Sequence, residues 1–266
     1  MQNSLRLRLL TALVLIPPVI FVIWIGNPWY TLLLSVATLL AAWEFYRMVA
    51  RSTGRKFAYW GLFWVALLLL SRISPHLMPL PVVAASAVIL PLAWLVIRPG
   101  QGKGFNQWVW LLAGVLYVGW TMSYFLPLRE QNHGAEWVFL TAFCTYAQDS
   151  AALFIGKAFG RHRMTPQISP HKTWEGAAGG FWASVLSALV AAWLLKLPVS
   201  HLSALAIGAL IGIFGQFGDL VESLLKRTVE VKDSGTLVPG HGGVLDRIDS
   251  LMFSVIVVYY YVIWLT

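Results

Sequence analysis

Residues 202–227 read Leu-Ser-Ala-Leu-Ala-Ile-Gly-Ala-Leu-Ile-Gly-Ile-Phe-Gly-Gln-Phe-Gly-Asp-Leu-Val-Glu-Ser-Leu-Leu-Lys-Arg. No charge appears before Asp219, and then Glu222, Lys226 and Arg227 follow. An apolar run of this length predicts a membrane-spanning helix, here over 202–226. On a helix Asp219, Glu222, Ser223, Lys226 and Arg227 fall at i, i+3, i+4, i+7 and i+8, which is one face. Leu220, Val221, Leu224 and Leu225 take the other. One polar stripe therefore descends into an apolar span. An Asp at the centre of such a helix costs about 2.5–3.5 kcal/mol on insertion scales, so these acids should be paired with a lysine or hold a metal.

The same reading extends over the whole chain. Of its 266 residues 58% are hydrophobic and 11% charged, against roughly 25% charged in soluble domains. Nine spans are expected, at about 7–25, 30–48, 57–71, 78–97, 108–128, 136–157, 176–196, 202–226 and 249–265. They leave no room for a soluble domain, so the fold class is an all-α polytopic membrane protein. It is a single membrane domain over 1–266, with scaffold helices over 1–128 and catalytic helices and loops over 136–266. The apolar stretch after Arg6 and Arg8 runs to Ile25, too long for a signal-peptide core. It should be a retained span. Cys144 is the single cysteine, so no intramolecular disulfide can form.

Basic residues orient the bundle. Under nine spans, sixteen of the nineteen Lys and Arg fall on one side, and Arg72, Arg129 and Lys196 on the other. The positive-inside rule then puts the N-terminus in the cytoplasm and the C-terminus outside. The net charge of +8 is explained by anionic lipid headgroups, and no nucleic-acid partner is expected.

Two short segments hold sixteen of the thirty charged residues. Segment 149–175 contributes Asp149, Lys157, Arg161, Arg163, Lys172 and Glu175, and 219–249 contributes ten more. Asp246, Asp249 and Ser250 open the last span on one face. Acids on two helices can clamp a divalent ion through oxygen ligands, with Asp149 as a further contributor. A pair of ions about 3.5–4 Å apart supports in-line phosphoryl displacement. Pro239-Gly240-His241-Gly242-Gly243 is a loop over which successive N–H groups can converge on an anion. Ser169-Pro170-His171-Lys172-Thr173-Trp174-Glu175-Gly176 reads as a helix start, with Ser169 as N-cap and Pro170 first. Lys172 would then sit in the first turn, where the helix dipole disfavours a cation unless an anion is bound.

The run 223–250 resembles the signature of the CDP-diacylglycerol synthases, the phosphatidate cytidylyltransferases. It reads Ser-x-x-Lys-Arg, four residues, Lys-Asp-x-Gly, then Pro-x-His-Gly-Gly, two residues, Asp-Arg-x-Asp, and every fixed position is met. The stretch from Asp149 through Gly156, Gly160 and Pro166 to Gly176 is similar to the same family, with departures at His171 and Phe154. Before Leu128 only the many-span character agrees.

The resemblance implies magnesium-dependent transfer of CMP from CTP to phosphatidate, with one cation or two. Asp219 and Asp246 match positions associated with metal, and Asp149 and Asp249 are taken with them as metal candidates. Ser223, Lys226, Asp219, Asp246 and Asp249 are the catalytic candidates. Substrate-binding candidates are Ser169, Lys172, Thr173, Arg227, Lys232, Asp233, His241, Gly242, Gly243 and Arg247. Partners are CTP, phosphatidate and the bilayer; a homodimer is compatible with this reading. The expected location is the cytoplasmic membrane of a bacterium. A CTP-dependent lipid kinase and a cation-coupled transporter are the alternatives.

Overall fold

The computed structural model describes residues 2–98, 104–237 and 242–265. Among these, nine long helical stretches follow one another: α1 (Gln2–Ile25), α2 (Trp29–Thr53), α3 (Arg55–Ile73), α4 (Leu80–Ile97), α5 (Gly104–Arg129), α6 (Gly134–Phe159), α7 (Trp174–Leu194), α8 (His201–Thr228) and α9 (Leu245–Leu265). Each expected span falls on one of them, its ends shifted by five residues or fewer. Seven are long and apolar enough to cross a membrane; in α1 and α3 the apolar part is shorter, Leu13–Ile25 and Phe57–Ile73. The chain is an all-α polytopic membrane protein.

Among the described residues, the one sheet is a two-stranded antiparallel hairpin, β1 (Arg163–Thr165) and β2 (Ser169–Thr173), placed between α6 and α7. It corrects the expected helix start at Ser169. Ser169 and Pro170 are extended, and α7 begins at Trp174 with Thr173 as its N-cap, the Thr173 hydroxyl accepting from Gly176 N at 3.2 Å. The physical reason is that Ser-Pro suits an extended segment as well as a helix start, and pairing of Ser169 with Thr165 in β1, with Thr173 capping α7, decides for the strand. Glu175 in the first turn of α7 suits the helix dipole and closes the hairpin, accepting from Arg161 N (3.1 Å) and His162 N (3.2 Å) and pairing with His162 Nδ1 (2.6 Å). Lys172 therefore precedes α7, and the conflict with its dipole does not arise.

The chain forms two compact units, Met1–Leu126 with Val231–Arg247, and Pro127–Glu230 with Ile248–Thr266. The loop at 231–247 belongs with the first of them. In that unit α2 packs on α3 and α5, and α3 on α4. Its core includes Phe45, Tyr46, Trp64, Val65, Leu111 and Val118. The Tyr46 hydroxyl donates to Leu111 O at 2.7 Å, just before α5 widens into a π-helical segment at Val115–Trp120. The Arg72 guanidinium lies over the rings of Trp120 and Tyr124, at 5.4 and 5.1 Å, so a cation in an apolar bundle gains aromatic faces as partners.

In the second unit α6, α7 and α8 pack on one another. Small residues let the backbones approach: Ser184 Oγ donates to Gly208 O at 2.8 Å, and a Cβ on Gly218 would lie 2.5 Å from Asp249 O. Buried Gln148, its amide oriented to satisfy both partners, donates to Ile211 O (2.9 Å) and accepts from Gln216 N (3.1 Å). Gln216 donates in turn to Ala177 O at 2.9 Å. The Gln148 and Gln216 bonds lie beside Asp149 and one turn before Asp219, and fix the backbones that carry them.

Candidate active site

The polar stripe of α8 is buried at Glu222, partly exposed at Asp219 and exposed at Arg227. Glu222 is 1% exposed and Lys226 donates to its Oε2 at 2.7 Å. Asp219 Oδ2 stands 2.7 Å from Lys172 Nζ, with side chains 35% and 25% exposed, and Ser223 Oγ donates to Asp219 Oδ1 at 3.5 Å. Leu224, on the opposite face, is exposed, as a lipid-facing residue should be. Arg227 Nε donates to Ile168 O at 3.3 Å and so ties the hairpin turn to the end of α8. That contact, with the strand pairing, delivers Lys172 to Asp219.

Two other helices bring acids to the same patch. Asp249 is buried, accepts from Ser250 N at 2.7 Å, and lies within electrostatic reach of Asp219, Glu222 and Asp149. Ser250 Oγ donates to Asp149 Oδ1 at 3.3 Å, joining α9 to α6. Four carboxylates from α6, α8 and α9 thus gather in the second unit with Lys172 and Lys226 as ion-pair partners. Four acids near two lysines make a locally negative patch able to attract a cation, and every acidic donor is oxygen, the choice of hard divalent ions. Among the described residues, however, no three His, Cys, Asp or Glu side chains are drawn together as a ready ligand set. Lys172 and Lys226 hold two of the four acids, Asp219 and Glu222.

The signature loop is organised separately, in the first unit. Asp246, in the first turn of α9, accepts from Ser234 N (3.2 Å) and Gly243 N (2.9 Å). Gly242 has φ +88°, a conformation side-chain-bearing residues rarely adopt. Thr173 is buried as the cap of α7, and Lys232, Asp233 and Arg247 are exposed. His241 lies outside the described residues. Glu44, in the half expected to be scaffold, also reaches this loop: its Oε2 accepts from Leu245 N at 2.8 Å and Ser234 Oγ at 3.2 Å. The available signal was an acid in an apolar span, which should have work to do.

A model described as the cytidylyltransferase family matches residues 6–265. The chain is similar to the phosphatidate cytidylyltransferase of Brucella suis biovar 1 (strain 1330), with 34% identity over 264 residues, 97% of this chain and 93% of that protein. It is also similar to the Bacillus subtilis (strain 168) phosphatidate cytidylyltransferase, 37% identical over 179 residues, 67% of this chain and 66% of that one. The Synechocystis sp. enzyme of the same name is 40% identical over 177 residues, 66% of this chain and 58% of its own length. With a family match running almost end to end and a relative aligned over nearly its whole length, this chain belongs to the cytidylyltransferase family.

Proposed function

We propose that the protein transfers CMP from CTP to phosphatidate, forming CDP-diacylglycerol and pyrophosphate at the cytoplasmic surface of a bacterial inner membrane. The observation that carries this reading is the complete 223–250 signature in a chain whose full-length relative bears that enzyme name. A membrane-embedded acid patch beside cationic side chains suits a reaction that joins a lipid phosphate to a soluble nucleotide.

In the reaction a phosphate oxygen of phosphatidate attacks the α-phosphorus of CTP. The new P–O bond forms as the α–β bridging bond breaks, and pyrophosphate leaves. A phosphate monoester has a second pKa near 6, so at neutral pH the nucleophile is already largely dianionic and no dedicated general base is required. Lys172 binds a nucleotide phosphate in this scheme, exchanging its partner Asp219 for the substrate. By their match to the family signature, Lys226, Arg227, Lys232, His241 and Arg247 are assigned to the triphosphate as further positive charge, and Gly242 and Gly243 as the glycines that allow close backbone approach. Ser223 orients Asp219.

The donor chemistry of the patch fits magnesium. Asp149, Asp219 and Asp249 would hold it, with Asp246 assigned by the family signature, and the acids allow for a second cation. Bound there, the ion would neutralise phosphate charge as pyrophosphate departs. Release of Asp219 by Lys172 makes one such ligand available.

The test is stoichiometric. Purified protein in micelles, given phosphatidate, CTP and magnesium, should release one pyrophosphate for each CTP consumed and form no CDP. CDP with phosphorylated lipid would mean a kinase, and no CTP consumption would favour a transporter.

A further inference from the structure

We propose that Glu44 is a positioning residue for the reaction, holding the two ends of the glycine-rich segment in the geometry that receives the nucleotide. This rests on the reading that the segment binds CTP. Glu44 is 1% exposed, near the end of α2 where the neighbouring Tyr46 anchors the helix to α5. Its partners lie 190 and 201 positions further along the chain.

The bonds are specific. Leu245 is the first residue of α9 and its N–H has no acceptor inside the helix; Glu44 Oε2 supplies one at 2.8 Å. A carboxylate there also complements the helix dipole. Glu44 thus caps α9 from another helix and sets the direction in which Asp246, the next residue, leaves the backbone. The same oxygen accepts from Ser234 Oγ at 3.2 Å. Asp246 meanwhile accepts from Ser234 N and Gly243 N. Two carboxylates from distant parts of the sequence clasp one segment, both meeting at Ser234.

The glycines fit this arrangement. A Cβ on Gly235 or on Gly243 would run into the Glu44 carboxylate. Their lack of a side chain lets the backbone pass over a buried acid. Glu44 Oε1 receives no hydrogen bond among the described residues. Leaving a buried carboxylate oxygen without a donor is costly, so stability alone is a poor reason for an acid here. Geometry imposed on the segment is the better one.

Glu44→Gln keeps the shape and an acceptor oxygen but removes the charge. The expected result is a KM for CTP raised about 5-fold, the difference in worth between a hydrogen bond to a charged and to a neutral acceptor, with the KM for phosphatidate unchanged and the unfolding midpoint in detergent lowered by no more than about 4 °C. Ser234→Ala should shift the same parameter in the same direction, and the double variant should fall short of the product of the two effects. Lys232→Ala, an exposed change in the same segment, separates the two ideas. If Lys232→Ala raises the KM for CTP and Glu44→Gln does not, Glu44 has no positioning role although the segment binds nucleotide. If neither raises it, the nucleotide reading of the segment fails and this inference with it. A loss of activity in Glu44→Gln that only follows a larger fall in the unfolding midpoint overturns it as well, since a merely structural acid would behave so.

Discussion

Replacing Asp219 by Asn separates a structural acid from a catalytic one, because the two roles carry different magnitudes. Its partner Lys172 Nζ is 2.7 Å away, and the two side chains are 35% and 25% exposed. A partly exposed ion pair of this kind contributes about 0.2–1 kcal/mol. For a protein of this size that is an unfolding shift of roughly 2–4 °C at most. The amide keeps the shape, so a purely structural Asp219 would lose only that, and turnover would change little. If Asp219 stabilises charge in the transition state, several kcal/mol disappear, and at 1.36 kcal/mol per decade turnover falls at least about 100-fold. The assay is magnesium-dependent turnover with CTP and phosphatidate, read beside the unfolding midpoint, with Glu230→Gln as control. Glu230 is exposed beyond the end of α8 and on neither acid face. Near-normal turnover in Asp219→Asn would refute the assignment. Asp246→Asn should also abolish turnover but is the less clean probe, since that carboxylate accepts from two loop N–H groups and an amide presents a donor to one of them.

Two other outcomes are expected. Lys172→Ala should raise the KM for CTP more than that for phosphatidate, and a change confined to the lipid KM would transfer Lys172 to the lipid phosphate. Cysteines placed singly in 51–56, 160–169 and 232–243 of a Cys144→Ser background should resist impermeant thiol reagents in intact cells; labelling of 232–243 from outside would reverse the proposed orientation.

The helices were legible because hydrophobic runs need no partner to announce themselves. The stripe on α8 was legible for a related reason: Asp219, Glu222 and Lys226 repeat at helical spacing, and each is ion-paired, Asp219 with Lys172 and Glu222 with Lys226. What escaped depends on partners distant in sequence. Ser-Pro at 169–170 is compatible with a helix start and with a strand, and only pairing with β1, together with Thr173 capping α7, decides for the strand. The 2.7 Å pairing of Lys172 with Asp219 follows from that hairpin and has no local signal. Glu44 is a lone acid in an apolar helix, with no periodic companion to mark a polar face. Its meaning lies in Ser234 and Leu245.

The central claim is that a CMP group moves onto the lipid. The most direct measurement follows the label from CTP carrying it at the α-phosphate, and separately at the γ-phosphate, into extracted lipid with phosphatidate and magnesium present. The account predicts lipid-borne label from the α-labelled nucleotide alone, with the γ-label recovered in pyrophosphate. Lipid labelled only by the γ-labelled nucleotide, or by neither, would contradict it.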